Sequence, residues 1–141
     1  MRQLLDQLQH TVSAWPGVAA APHRFGGIEF RLGTAEIGHY HTNGMVDIPF
    51  NTRLRTQLIA ERRAQPHHLL PETGWISYYL RAEADLAGAV WLFRLAYVFT
   101  AARPKSRAVL PALDLPAELA ALNASQPLQA AFGALADDRP E

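Results

Sequence analysis

Six histidines and no cysteine set the chemistry open to this chain. Without thiols there are no disulfides, thiolate zinc sites, iron–sulfur clusters or thiol nucleophiles, so any reaction falls to imidazole, carboxylate and hydroxyl groups. Four of the histidines come as two close pairs, His39-x-His41 and His67-His68, while His10 and His23 fall outside them. On a β-strand, residues two apart share a face at about 6 to 7 Å, a spacing that lets two imidazoles act on one metal ion or one substrate. Imidazoles on an apolar face are desolvated, which lowers their pKa and keeps them proton acceptors near neutral pH. Such a base takes a proton from an enol or hydroxyl. The third possibility is that these histidines only pack in the core.

The strands that carry the first pair can be read in register. Gly33-Thr34 suits a two-residue hairpin turn with glycine first, and that turn pairs Arg31 with Glu36 and Phe30 with Ile37. Asn43-Gly44 is a strong two-residue hairpin signal, and it pairs His41 with Val46, His39 with Ile48 and Tyr40 with Asp47. Both hairpins put Ile28, Phe30, Ile37, Val46 and Ile48 on one apolar face, and they put His39 and His41 there too. Asp47 then falls on the opposite face. In this register Phe30, Trp75 and Tyr78 wall a pocket beside the imidazoles, with Tyr40, Ser77 and Tyr79 supplying hydroxyls. The catalytic candidates are His39, His41 and His67, and the substrate-binding candidates are His68, Trp75, Tyr78 and Phe30. With no acid on the histidine face and no HExxH motif, no metal and no cofactor are assigned; a histidine metal site stands as an alternative.

The remaining elements follow from periodicity. A helix from about Gln3 to Ser13 repeats Leu4, Leu5, Leu8 and Val12 at helical spacing. A second begins after Phe50, capped by Asn51 or Thr52, with Leu54, Leu58 and Ile59 facing inward and Arg53, Arg55, Arg62 and Arg63 outward. A strand runs from Trp75 to Leu80. The long helix Ala82–Ala102 carries one stripe of Leu86, Val90, Phe93 and Tyr97 and another of Leu92, Leu95 and Phe99. Two apolar faces mean full burial or a partner, so a homodimer through this helix is an alternative function in which the histidines merely pack. The order is not an alternating βαβ series, and the fold class is α+β: one antiparallel sheet of about four to five strands covered by helices.

Composition bounds the rest. The chain has 141 residues, enough for one domain, with 13 basic and 13 acidic side chains. That balance argues against nucleic acid or an anionic membrane surface as a partner. The apolar run Leu86–Ala102 is at the lower limit for a membrane span and has Arg94 near its middle. The first ten residues are amphipathic and include Asp6, unlike a secretion signal, so the expected location is cytoplasmic. Residues 1–107 hold 12 basic and 8 acidic groups, whereas 108–141 hold 1 and 5. The boundary near Arg107 divides an α+β domain (1–107) from a Pro- and Ala-rich tail with short helices (108–141). No nucleophile elbow, phosphate loop or dinucleotide fingerprint is present.

Taken in order, Pro22-His23-Arg24-Phe25-Gly26-Gly27-Ile28-Glu29-Phe30, Gly38-His39-Tyr40-His41, Asp47-Ile48-Pro49-Phe50, His67-His68-Leu69-Leu70-Pro71 and Gly74-Trp75-Ile76-Ser77 resemble the luciferase-domain family of small bacterial proteins. Fungal luciferases share that domain, and the match to them rests on Glu36 to His41, His67, Trp75 and the closing helix. Those enzymes oxidise a hydroxypyrone luciferin with molecular oxygen and no metal or organic cofactor. The resemblance implies a small-molecule ligand, enolic or aromatic, with a histidine base ionising its hydroxyl so that the electron-rich anion meets oxygen directly.

Overall fold

A computed structural model describes residues 1–23, 26–103 and 113–133. Arg24 and Phe25 of the first resemblance motif, the predicted boundary at Arg107, and Pro111 and Pro140 of the tail lie outside the described residues. The elements are α1 (Arg2–Ser13), β1 (Val18–Pro22), β2 (Ile28–Leu32), β3 (Ala35–Tyr40), β4 (Met45–Pro49), α2 (Thr52–Ala60), β5 (Gln65–Pro66), β6 (Trp75–Tyr79), α3 (Leu86–Ala102), α4 (Leu115–Ala121) and α5 (Gln126–Gly133). The six strands form one antiparallel sheet in the order β1-β2-β3-β4-β6-β5, and with the helices this is an α+β fold. Two strands go beyond those predicted. β1 reads Val-Ala-Ala-Ala-Pro, with almost no apolar contrast to mark it, and β5 has only two residues.

Helices α1 and α3 pack on one face of the sheet. Phe30, Ile37, Val46, Ile48 and Ile76 from the strands meet Leu5, Leu8, Val12, Leu92, Phe93 and Leu95 from the helices, all of them buried. Burial of a side chain of this size contributes about 1.5 to 3 kcal/mol, so this layer is the main source of stability. Both apolar faces of α3 are used inside the chain, since Ala89, Leu92, Phe93 and every residue from Leu95 to Ala101 are buried. The stretch Glu83–Ala102 is long and apolar enough to cross a membrane, yet most of it is covered by the rest of the fold. Of the tail, α4 is tied to α3 by the Arg94–Glu118 ion pair at 2.9 Å, and Leu128 and Phe132 of α5 enter the core.

Helix α2 starts where its sequence says it should. Asn51 sits in an extended conformation and its side chain accepts a hydrogen bond from the Leu54 N–H at 2.9 Å. Removing that acceptor leaves an orphan donor at the helix start. Asn51→Ala is expected to lower stability by about 1 kcal/mol, read from the urea midpoint. An unchanged midpoint would mean that α2 is held by packing alone.

The hairpin register differs from the predicted one in two places. Arg31 pairs with Glu36 as expected, but a β-bulge follows, so that Phe30 pairs with Gly38 instead of Ile37. Ile37 and Gly38 both lie on the core side: Ile37 is fully buried, and a Cβ on Gly38 would meet the Phe93 ring. Past the bulge the alternation is reversed. The next turn is also one residue longer than predicted. Gly44 N–H bonds to the His41 carbonyl, and His41 N–H to the Met45 carbonyl, closing a three-residue loop with Gly44 at φ +95°. His39 therefore pairs with Asp47, and Tyr40 with Val46. The two shifts cancel on β4, where Val46 and Ile48 stay on the core face. His39 and His41 change sides, contrary to the predicted core-facing placement.

Candidate functional site

The reversal gathers the polar groups on the sheet face away from α1 and α3. One row of paired residues crosses the strands there: Glu29 on β2, His39 on β3, Asp47 on β4, Ser77 on β6 and Gln65 on β5. His41 and Trp75 lie two residues from His39 and Ser77 and so share this face. His67 and His68 follow β5 directly.

Asp47 is the centre of the arrangement and is only 1% exposed. Its Oδ2 accepts from His41 Nε2 at 2.8 Å and faces His39 Nε2 at 3.3 Å. Its Oδ1 accepts from the Ser77 hydroxyl at 2.7 Å and faces His67 Nε2 at 3.6 Å and His68 Nδ1 at 3.7 Å. On the far side of His39, Nδ1 meets Glu36 Oε2 at 2.5 Å. Glu36 reaches it because the bulge brings residues three apart to one face. His23, predicted to stand outside the cluster, stacks on the His39 ring at 4.1 Å. Trp75 closes one side, with its ring 5.7 Å from that of His39 and 5.8 Å from that of His67.

Charge is distributed unevenly over these groups. Burial disfavours a charge on Asp47, but hydrogen bonds from His39, Ser77 and His41 outweigh it and hold the carboxyl well below its usual range. Burial likewise opposes a charge on His39, yet its bonds to Asp47 and Glu36 raise its pKa to about 9. His39 is thus an imidazolium flanked by two carboxylates, and both its nitrogens donate. His67 is different. Burial is the main influence and lowers its pKa, with the neighbouring imidazoles pushing the same way and Asp47 opposing. Its Nδ1 accepts from the backbone N–H groups of Leu69 and Leu70, each at 3.1 Å, so the neutral ring carries its proton on Nε2, toward Asp47. His23 is also shifted down, first by burial and then by the charge of His39.

Of the predicted site residues, His39, His41, His67, His68 and Trp75 come together. Phe30 and Tyr78 do not. Phe30 packs against Phe93 in the core, with ring centres 5.2 Å apart, and the Tyr78 hydroxyl donates to the Asp85 carbonyl at 2.7 Å on the helix side of the sheet. Asp47 and Glu36 were legible as residues but not as members of the site. Among the described residues, two sets of side chains are close enough to hold a metal ion: His39 with His41 and Asp47, and Asp47 with His67 and His68.

An antiparallel sheet with helices on one face and a carboxylate ringed by imidazoles on the other defines an α+β domain with a histidine–aspartate cluster on its second face. The family model for the luciferase domain matches residues 34–96, from the start of β3 well into α3. That stretch contains Glu36, His39, His41, Asp47, His67, His68, Trp75 and Ser77, and over it the chain is similar to the luciferase-domain family. No curated protein and no solved structure matches the chain.

Proposed function

We propose that this chain binds a small enolic or aromatic molecule over the histidine cluster and removes a proton from its acidic hydroxyl, as an oxidoreductase of luciferase type. The observation that carries the reading is the buried Asp47 beneath a rim of more open side chains, His41, His68 and Trp75. His68 is the proton acceptor in this reading. Its Nδ1 faces the Asp47 carboxylate at 3.7 Å; an N–H directed there when a ligand enters leaves Nε2 with the lone pair, the logic of a histidine oriented by an aspartate. Contacts of this kind are often long before a ligand is bound and tighten when it enters. His39 and His67 suit the role less well, because His39 donates from both nitrogens and His67 presents a donor to Asp47. Trp75 offers a flat apolar surface for a ring, and Leu69 and Leu70, both exposed, extend the apolar rim beyond His68. Reaction of the resulting anion with oxygen is the chemistry that the similarity to the luciferase domain suggests.

The test is calorimetric titration of the whole chain with 4-hydroxy-6-methyl-2-pyrone and with catechol, followed by oxygen-electrode measurements. Binding of at least one probe is expected, weakened about tenfold or more in Trp75→Leu and in His68→Ala, as for loss of a stacking or hydrogen-bonding group worth about 1.4 kcal/mol. If neither probe binds, or if both variants bind as well as the parent chain, the reading fails.

A further inference from the structure

We propose that His39, His41 and Asp47 form a site for one divalent first-row transition-metal ion, held through the two Nε2 atoms and Oδ2. This goes beyond the organic ligand argued above and does not depend on it. The three ligand atoms all lie within 4.8 Å of one another. The carboxylate oxygen is 2.8 Å from one imidazole nitrogen and 3.3 Å from the other. Ligands bound at about 2.1 Å stand about 3.0 Å apart at right angles and about 3.4 Å apart at tetrahedral angles, so the two carboxylate–imidazole separations need only small adjustments. They are set by the sheet itself: His39 and His41 alternate onto one face of β3, and Asp47 is the direct cross-strand partner of His39.

The surroundings have the form that metal ligands require. A ligating histidine donates its other ring N–H to a carboxylate or carbonyl, and His39 Nδ1 meets Glu36. The free oxygen of the ligating carboxylate is held by the Ser77 hydroxyl. Two imidazoles and one carboxylate leave coordination positions open, the arrangement typical of iron(II) and related ions, and His41 is exposed enough for solvent or a ligand atom to reach them. Mixed nitrogen and oxygen donors favour manganese, iron, cobalt, nickel or zinc over calcium or magnesium. The neighbouring set of Asp47, His67 and His68 lacks this form. His67 Nδ1 is taken up by two backbone donors, so Nε2 holds that ring's one proton and has no lone pair for a metal, whereas His39 releases its Nε2 proton to solvent as the ion binds and stays neutral with Nδ1–H on Glu36.

The experiment uses the full chain expressed without a polyhistidine tag, stripped with a chelator and titrated with Co(II) and with Zn(II) in the absence of any organic ligand. About one ion per chain is expected, with visible absorption from the cobalt form and a higher melting temperature on saturation. His41→Ala should weaken binding by more than about 100-fold, and Glu36→Gln by about tenfold, as for a ligand and for a group orienting one. His68→Ala should retain parental affinity. His41 is partly exposed, so its replacement leaves a folded chain to measure, and circular dichroism checks that. Failure to retain either ion overturns the proposal. So does parental affinity in His41→Ala, or loss of binding in His68→Ala but not in His41→Ala. A chain that binds pyrone but no metal would refute this site while leaving the organic ligand standing.

Discussion

Asp47→Asn is expected to cost about 3 kcal/mol of folding stability, because removing one charge of a buried pair leaves the other uncompensated. The charge left behind is the His39 imidazolium, which is 8% exposed and would keep only Glu36 as a carboxylate partner. The pH dependence of stability in the chelator-treated chain gives a second readout. The His39 pKa is raised from 6.5 to about 9 in the folded chain, so its stabilisation is complete below about pH 6.5 and is lost as the pH rises through about 9. One proton changes stability by about 1.4 kcal/mol per pH unit over that window, for a total of about 3 kcal/mol. Asp47 acts at the other end. Its carboxyl is held below the usual value of 3.8, so its contribution is present above about pH 4 and declines as the pH falls further. These are two views of one interaction and do not add. The parent chain should therefore be most stable between about pH 4 and 6.5, and Asp47→Asn should flatten the alkaline decline. Urea titrations across pH check both points; a variant with parental stability and a parental pH profile would show that the cluster does not hold this charge.

The candidate site was legible in residue types and obscured in register. Capped and periodic segments such as α1, α2 and α3 declare themselves over many residues, so an error of one position changes little. A strand is less forgiving, because one residue reverses every side chain that follows. The Asn43-Gly44 signal is compatible with either a two- or a three-residue loop, since both need a glycine at positive φ. The sequence distance between the apolar positions of β2, β3 and β4 was satisfied by both registers, as the bulge and the longer loop offset each other on β4. Only His39, Tyr40 and His41 reveal the difference. One local signal was available: Gly38 interrupts an otherwise regular strand, and an isolated glycine in a strand marks a bulge or a close approach. Reading it so turns His39 and His41 toward Asp47 and removes the objection that no acid shares their face. His23 was harder to find. It follows β1 directly, and its contact with His39 depends on where that weakly patterned strand ends against the sheet, which no local pattern encodes.

Gly38→Ala tests that register directly. Gly38 adopts φ +142°, a conformation that other residues rarely take, and an added Cβ would stand 2.6 Å from the Phe93 ring and 3.0 Å from Ile48. Backbone strain and overpacking each cost about 1 to 3 kcal/mol, so a loss of about 2 to 4 kcal/mol is expected, or roughly 10 °C in melting temperature for a domain of this size. Gly33 provides the comparison. It also has a positive φ, +64°, but nothing lies within 4 Å of its Cβ position, and Gly33→Ala should cost only about 1 kcal/mol. The consequence for the site is larger than the stability difference conveys. If the bulge regularises to escape the clash, His39 and His41 rotate into the helix-facing core and Tyr40 takes their place beside Asp47, so that metal and organic ligand are lost together even in the folded fraction. Calorimetric melting of both variants, with Co(II) titration of whatever remains folded, separates the outcomes. A Gly38→Ala chain as stable as Gly33→Ala, with its cobalt binding intact, would mean that the bulge is not what turns the histidines outward.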